Sequence, residues 1–520
     1  MKNYRIDRKR PMAALTVCAL LFASVFGQLC AVSKEYAEPA AGERVGMRTV
    51  MLGKTRGYIY DRNMKPLVNT EKRNCVVKIG GENDPVEVSV AVGVEPESDS
   101  VKTVTLVDRT NGNPLCAHVI GYLDGQGRGV CGIEKSFDRI LNEAAGTLGV
   151  RFMTNGLGQA IEGEGVEIVN DGYDNPAGVV LTIDADVQRI AENALARSSI
   201  ETGAIVVLDV QTFEILALAS VPVYDVNDLA ASLNDENAPF LNRALSAYPV
   251  GSVFKPFVAA AAMEYGVDTE KTFTCEGSVT VGGVTFPCYH STAHGELDLS
   301  GAVCRSCNGY FIDLAQYVGA ENLTAICKLF GFGTRVKLTG DIVNAAGNLP
   351  DAAEVDSAPA LANLSFGQGE LLATPLQLAA AYAVIANGGE YREPSLLKYL
   401  IDDRGEMYAY FQSDVRYPVL KTETCAALGR ALALNMLEGT GRAGASTLVS
   451  SAGKTATAQT GIYRDDGTER LCTWFCGFAP YEEPRYSVVV FNENGSAASV
   501  DCAPVFLDLI EALYDAEMFE

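Results

Sequence analysis

An α+β architecture in two parts is predicted: a small β-rich module, then a larger domain whose antiparallel sheet, flanked by helices, joins distant segments around a helical subdomain. Three observations predict it. A cluster of Asn, Asp, Gly and Pro at Asn170–Gly178 (NDGYDNPAG) breaks the chain where turns and linkers are favoured. Before it, Val- and Gly-rich runs alternate over short stretches. After it, strand patterns at 179–221 and again beyond about 470 bracket a middle, roughly 252–387, with helical periodicity. A chain of 520 residues exceeds one ordinary domain, and 48% hydrophobic residues supply a sizeable core.

In chain order, the first element is a membrane address. Lys2, Arg5, Arg8, Lys9 and Arg10 precede an uncharged run, residues 11–32. Such a run rises about 33 Å as a helix, enough for a hydrocarbon core of roughly 30 Å. The positive cluster keeps tip 1–10 in the cytoplasm and sends the chain from Ser33 outward. The run is long for a cleaved signal peptide and has no clear small-x-small cut. Leu29 before Cys30 argues against lipoprotein processing. An uncleaved, single-pass anchor with everything else extracytoplasmic is therefore expected.

Alternating stretches at Cys75–Ile79 and Glu87–Val92 suit short strands, and helical patterning waits until Ile133–Leu141. Beyond the break, Val179–Ile183 reads as a strand and Asp186–Ser198 as a helix. A hairpin follows, Ala204–Leu208 and Ile215–Val221. Trp474–Phe478 and Tyr486–Phe491 are the late strands, and the amphipathic Ala503–Tyr514 closes the chain on the sheet. The predicted boundaries are tip 1–10, anchor 11–32, module 33–177 and main domain 178–520. Lys and Arg number 41 against 65 Asp and Glu, a net charge of −24 that repels phosphate backbones and excludes duplex nucleic acid as a natural partner.

The chemistry starts from a scarcity. Only His118, His290 and His294 exist, and none neighbours a Gly-x-Ser-x-Gly elbow. A lysine one helical turn from a serine is another way to activate it. Both side chains then share a face, and a desolvated amine near a second cation gives up its proton more readily. Ser-x-x-Lys occurs at Ser252/Lys255, Ser395/Lys398 and Ser451/Lys454. Only Ser252 opens a helix, with Gly251 before it, Pro256 in the first turn and Gly266 as terminator. Ser306-Cys307-Asn308 and Lys454-Thr455-Ala456-Thr457 follow in order. Ser232-Leu233-Asn234 is a decoy that precedes the nucleophile.

Ser-x-x-Lys, Ser-x-Asn and Lys-Thr-Gly in this order resemble the signature of penicillin-binding proteins and serine β-lactamases. RGYIYDRN (Arg56–Asn63), AHVIGYLDGQGRGVCGIE (Ala117–Glu134), VVLTIDADVQ (Val179–Gln188), NRALSAYPVGSVFKPF, SFGQGELLATPLQLAAAYAVIANGG and TWFCGFAP further resemble segments of class B penicillin-binding proteins, membrane-anchored peptidoglycan D,D-transpeptidases. The resemblance implies a penicillin-binding fold on an N-terminal pedestal, 33–177. Ser252 would attack the penultimate D-alanine of a stem peptide, with Lys255 taking its proton. Ser306 would relay a proton to the leaving amine, and Asn308 would hold the substrate amide and the Lys255 amine. Lys454 would supply positive field. Thr455 and Thr457 would bind the terminal carboxylate, and the N–H groups of Ser252 and Thr457 would form the oxyanion hole. It also implies covalent inhibition by β-lactams, a polytopic membrane glycosyltransferase as partner, and no metal or organic cofactor.

Ala456 stands where that signature has Gly, and its methyl is expected to narrow the approach of a ligand's side chains. His290 and His294, with Cys275 and Cys288 upstream, permit a metal reading, but Ser291, Thr292 and Gly295 suit a loop. A Cys275–Cys288 disulfide is the preferred expectation over zinc. Cys304 and Cys307 are expected to pack, not to act as a redox pair. The rival functions are a D,D-carboxypeptidase or β-lactamase using the same site, or a non-catalytic wall-synthesis scaffold or β-lactam receptor.

Overall fold

The computed structural model describes residues 17–29 and 45–519, apart from 81–85, 91–97, 111–113, 162–163, 227 and 412. Residues 17–29 are helical and exposed. No helix among the described residues is long and apolar enough to cross a membrane. The expected tip 1–10, the two ends of the expected span, 11–16 and 30–32, and the linker 33–44 lie outside the described residues.

Two compact units emerge, and they interleave along the sequence. The first gathers 45–54, 73–106 and 147–171; the second gathers Thr55–Lys72, Val107–Gly146 and everything from Gly172. In the first unit, β1 (Gly46–Lys54) pairs antiparallel with β5 (Thr147–Thr154), which pairs with β6 (Glu167–Asp171). A second sheet places β2 (Glu71–Ile79) between β3 (Val86–Val90) and β4 (Val101–Asp108). Val76 and Val77, on opposite faces of the central strand β2, are both buried, while Val88 and Val90 on the neighbouring strand β3 stay exposed.

In the second unit, α1 (Ala185–Arg197) begins where the Asp184 carboxylate accepts the N–H groups of Asp186 and Val187. Strands β7 (Gly203–Asp209) and β8 (Ile215–Val221) form the expected hairpin. They sit at one side of a five-stranded antiparallel sheet completed by β13 (Ala452–Tyr463), β14 (Glu469–Ala479) and β15 (Tyr486–Gly495). The order is β8-β7-β15-β14-β13, so β13 is an edge strand. Along β7, Ile205 and Val207 face one core with α1 and the closing helix α7 (Ala503–Asp515). Ala204, Val206 and Leu208 face the other, with α2 (Lys255–Glu264) and α5 (Pro375–Ala386). Burial on both faces explains why the central strands read as unbroken apolar runs.

Between the sheet's halves lies the helical middle, with α3 (Leu299–Arg305), α4 (Asn308–Val318) and α6 (Thr422–Glu438). Three-stranded thinking would miss what else is there: β9 (Phe273–Cys275) pairs with β12 (Gly295–Leu297), and β10 (Ser278–Val281) with β11 (Val284–Pro287). These hairpins are too short for periodicity to reveal. Two motif segments from the expected pedestal fold into this unit. The buried Arg56 guanidinium donates to Glu134 (2.9 Å) and Asp138 (2.8 Å), and Arg109 pairs with the same Glu134 (2.7 Å). Glu134 thus satisfies two cations that a burial this deep would otherwise leave costly.

Candidate active site

Ser252 lies in a 3-10 turn, Gly251–Phe254, that leads directly into α2. Gly251 has φ 67, a left-handed conformation, and its N–H donates to the Gly367 carbonyl at 2.8 Å. A Cβ on Gly251 would stand 3.0 Å from the Ala458 Cβ and 3.4 Å from the Ala456 Cβ. The turn therefore rests on the edge strand β13, bringing Ser252 against the backbone that carries Thr457. Ser252 is half-buried while Val253, Phe254 and all of Lys255–Ala262 are buried. The Ser252 hydroxyl and the Lys255 amine are thus carried by a segment that is buried from Val253 to Ala262.

Lys255 is fully buried. Its Nζ donates to the Ser306 carbonyl oxygen (2.6 Å), to Asn308 Oδ1 (2.8 Å) and to Ser306 Oγ (3.2 Å). Burial pushes its pKa down to about 7, against a smaller opposing effect of Cys307 and Cys288. An amine so placed is available as a neutral base near pH 7. Ser306 and Asn308 reach it because the chain turns sharply between α3 and α4. Ser306 adopts φ 52, ψ 41 at the end of α3, and Cys307 is the N-cap of α4. A non-glycine residue in that region stores strain that its surroundings must hold. Asn308 is fixed at its other end by Nδ2 donating to the Pro287 carbonyl at 2.9 Å.

Lys454 projects from β13 into the same interior and is also fully buried. Its Nζ donates to its neighbour's carbonyl, Thr455 O (3.0 Å), and to Thr440 Oγ1 (3.2 Å). Burial, then the nearby Lys255 cation, pushes its pKa well below the usual lysine value. Thr455 Oγ1 donates to Thr440 Oγ1 at 2.8 Å. Thr457, exposed on β13, accepts at Oγ1 from the Ala498 N–H at 3.3 Å. Lys255, Ser306 and Asn308 thus form one hydrogen-bonded cluster and Lys454, Thr455 and Thr440 a second, close enough that the Lys255 charge acts on Lys454, with Ser252 one turn before Lys255. The decoys do not join them: Ser395 precedes the strand Leu397–Ile401 and Ser232 ends a short helix, Leu229–Ser232.

Two findings were not legible in the motifs. Thr440 bridges Lys454 and Thr455, and its own N–H donates to Cys304 O (3.2 Å) at the end of α3. No spacing rule points to it; only the preceding Gly439-Thr440 after a long helix hints at a helix stop. The Ala456 methyl, expected to stand in the ligand's way, is 3% exposed and lies under the Gly251–Ser252 turn. On β13 it shares a face with Lys454, opposite to Thr455 and Thr457.

Behind Ser306 and Asn308, four possible metal ligands gather. The Sγ atoms of Cys275, Cys288 and Cys307 and the Nδ1 of His294 lie within 4.8 Å of one another. His290, with φ 53 in the loop after β11, is not among them. Cys275 and Cys288 are free thiols with Sγ atoms 3.7 Å apart, not the ~2.05 Å of the expected disulfide.

With this geometry in view, comparisons with known proteins are informative. The family described as penicillin binding protein transpeptidase domain matches residues 203–511. The peptidoglycan D,D-transpeptidase MrdA of Haemophilus influenzae is 30% identical over 447 residues, covering 75% of this chain and 66% of that protein. The chain thus spans just under two thirds of that relative's length. Penicillin binding protein 3 of Mycobacterium tuberculosis, complexed with aztreonam, matches with TM-score 0.67 at 25% identity, covering 91% of this chain and 97% of that one. A structure described as coordinating polymerization and crosslinking in a peptidoglycan synthase complex matches with TM-score 0.68 at 26% identity, covering 98% of both chains.

Proposed function

The chain belongs to the penicillin-binding protein transpeptidase family, and from that membership we propose that it is a serine D,D-transpeptidase that cross-links peptidoglycan stem peptides and is acylated by β-lactams. One observation carries the reading: a buried lysine one turn after Ser252 holds both Ser306 and Asn308 in hydrogen bonds and is poised near neutrality. Lys255 takes the Ser252 proton as Oγ attacks the penultimate D-alanine carbonyl. The oxyanion forms at the N–H groups of Ser252 and Thr457, each donor worth about 3–4 kcal/mol in hydrolases of this kind. Ser306, hydrogen-bonded to the Lys255 amine, passes a proton to the departing D-alanine nitrogen. Asn308 orients the stem-peptide amide, while Lys454 and Thr455 supply positive potential and a hydroxyl for its carboxylate, with Thr457 beside them. An amine of a neighbouring stem then takes the acyl group, provided water is excluded from the cleft.

The chain is further proposed to be anchored by 11–32 with its catalytic part, about 178–520, outside the membrane on a pedestal, 33–177. The positive cluster before the uncharged run supports that orientation. A polytopic glycosyltransferase is its proposed partner, supported by the likeness to a complex that couples polymerization with crosslinking.

A fluorescent penicillin with the full chain tests the reading. A long-lived adduct on Ser252, absent in Ser252→Ala, is expected. Rapid turnover of the label would make the chain a β-lactamase. Release of D-alanine from a pentapeptide without any cross-linked product would make it a carboxypeptidase. No label, together with no D-alanine release, would leave a scaffold and sink the proposal.

A further inference from the structure

The turn that carries Ser252 is held less by its own helix than by side chains from other elements. Pro256 has no N–H, so the Ser252 carbonyl cannot make an α-helical bond four residues on. It accepts from the Lys255 N–H instead, which tightens Gly251–Phe254 into a 3-10 turn. Two carbonyls flanking Ser252 are taken up from outside. Pro249 O accepts from the Trp474 indole Nε1–H at 2.9 Å. Val253 O accepts from the Tyr382 hydroxyl at 3.0 Å. With the Gly251 N–H on the Gly367 carbonyl at 2.8 Å, the segment is tied at three points to three separate parts of its unit.

Both side-chain donors are themselves fixed. Trp474, the only tryptophan in the chain, is fully buried on β14. Its ring meets Phe491 of β15 at 4.2 Å and Tyr248 at 6.4 Å between centroids. In the β13–β14 ladder it stands opposite Ala456, whose methyl lies under Gly251, with Thr457 opposite Thr473 beside it. Tyr382 is fully buried on α5, edge-on to Phe257 at 5.6 Å. Burial holds its phenol well above the usual pKa, so it stays a donor. Tyr248 and Pro249 also pair with Ala373 and Leu372, just before α5. Buried Trp and Tyr need a partner for their polar tips, and many carbonyls would serve. These two take carbonyls on either side of the same serine.

We propose that Trp474 and Tyr382 are positioning residues of the acylation step, holding the Ser252 N–H at the spacing from the Thr457 N–H that an oxyanion needs. Both are too deeply buried to meet substrate, and they act through the backbone of the turn. Trp474 acts on both donors. Its backbone belongs to the ladder that carries Thr457, and its side chain holds the run into Ser252. Tyr382 keeps the turn from rotating about that tether. Oxyanion donors act only where charge develops, and misplacing reacting groups by about 1 Å can cost ~10²-fold. The catalytic part of this proposal rests on the reading of Ser252 as nucleophile; the holding part does not.

Labelling of the full chain by a fluorescent penicillin is followed in time over a range of concentrations in wild type, Trp474→Phe and Tyr382→Phe, well below their melting temperatures. Each substitution keeps an aromatic ring and removes the donor. The plateau rate should fall about tenfold to a hundredfold in each. The half-saturating concentration and the midpoint of the pH profile should not move, because Lys255 and its partners are untouched. A merely structural role would lower the labelled fraction and leave the rate of the folded remainder as it was, and that result overturns the proposal. So does a loss confined to the half-saturating concentration. Amide hydrogen exchange over 250–254 should quicken in both variants, and unchanged exchange overturns the holding part. If Trp474→Phe fails to fold, Tyr382→Phe decides. A wild type that takes no label at Ser252 overturns the proposed acylation and the catalytic part with it, while exchange still decides the holding part.

Discussion

At the scale of residues, the central fact is that Lys255 and Lys454 are both withdrawn from water and yet lack a carboxylate partner in the hydrogen bonds they make. Oxygen atoms of Ser306, Asn308, Thr440 and Thr455 replace solvent, so each amine is solvated by dipoles and neither is neutralised. That arrangement favours the uncharged amine and costs a basic side chain some of its affinity for a proton. Lys255→Ala should lower the rate of acylation by fluorescent penicillin by about 10²–10⁴-fold, the range for a lost general base. A rate within tenfold of wild type would remove Lys255 from the chemistry. Thr440→Val tests a subtler contact. It deletes one acceptor from Lys454 and the partner of the Thr455 hydroxyl, and a lost hydrogen bond to a charged group is worth ~1.5–3 kcal/mol. Thermal stability should fall by about that much, and acylation by about ten- to a hundredfold when measured well below the melting temperature, where the variant is still folded. The motif residues were legible because each belongs to an ordered signature or to an i, i+3 pair. Thr440 was not, because its partners lie 14 and 15 positions away on another element. The Cys275–Cys288 expectation failed for the same reason: nothing in the sequence tells that Cys307 and His294 converge on the same point.

At the scale of elements, the position of Ser252 depends on the 3-10 turn resting against β13. Gly251 makes that contact possible in two ways, by tolerating φ 67 and by offering no Cβ to the Ala458 side chain. Gly251→Ala should destabilise the chain by about 1–3 kcal/mol, from the left-handed conformation and the close approach together. Thermal unfolding and penicillin labelling should decline in step. Unchanged stability would mean that the turn relaxes away from the strand. Elements with long, strong patterns were readable in advance: α1, the β7–β8 hairpin and α7 begin and end within about a residue of their sequence-based bounds, whereas β14 starts five residues earlier and β15 ends four residues later than expected. The four short strands β9 to β12 were not, because runs of three or four residues carry no period. Their hairpins nonetheless support the candidate metal centre and fix Asn308 through Pro287.

At the scale of the whole molecule, what the linear sequence hides is interleaving. A reader cutting at the Asn170–Gly178 break assigns Arg56, Arg109, His118 and Glu134 to the first module, but all four fold within the larger unit. Only contacts made across many residues, such as Arg56 with Glu134, determine that membership. His118 shows one consequence for the stability of that unit. Its ring packs edge-on to Tyr224, and Nε2 stands 2.7 Å from the Pro239 carbonyl oxygen. A carbonyl only accepts, so the neutral imidazole donates Nε2–H to it. Burial pushes the His118 pKa down to about 4, the nearby Arg243 cation adds to the effect, and the Pro239 carbonyl opposes it. An unfolded histidine titrates near 6.5, so between that value and about 4 the unfolded chain binds a proton that the folded chain refuses. Stability from this group is complete above pH ~6.5, declines as pH falls toward 4, and is flat below. The full loss is up to ~3 kcal/mol, reduced by whatever solvent reaches the ring. Melting curves of wild type and His118→Gln between pH 7 and 4 check this through their slopes. The wild type should lose stability more steeply with acid than the variant across that window, whereas parallel slopes would show that His118 is protonated as readily in the folded unit as outside it.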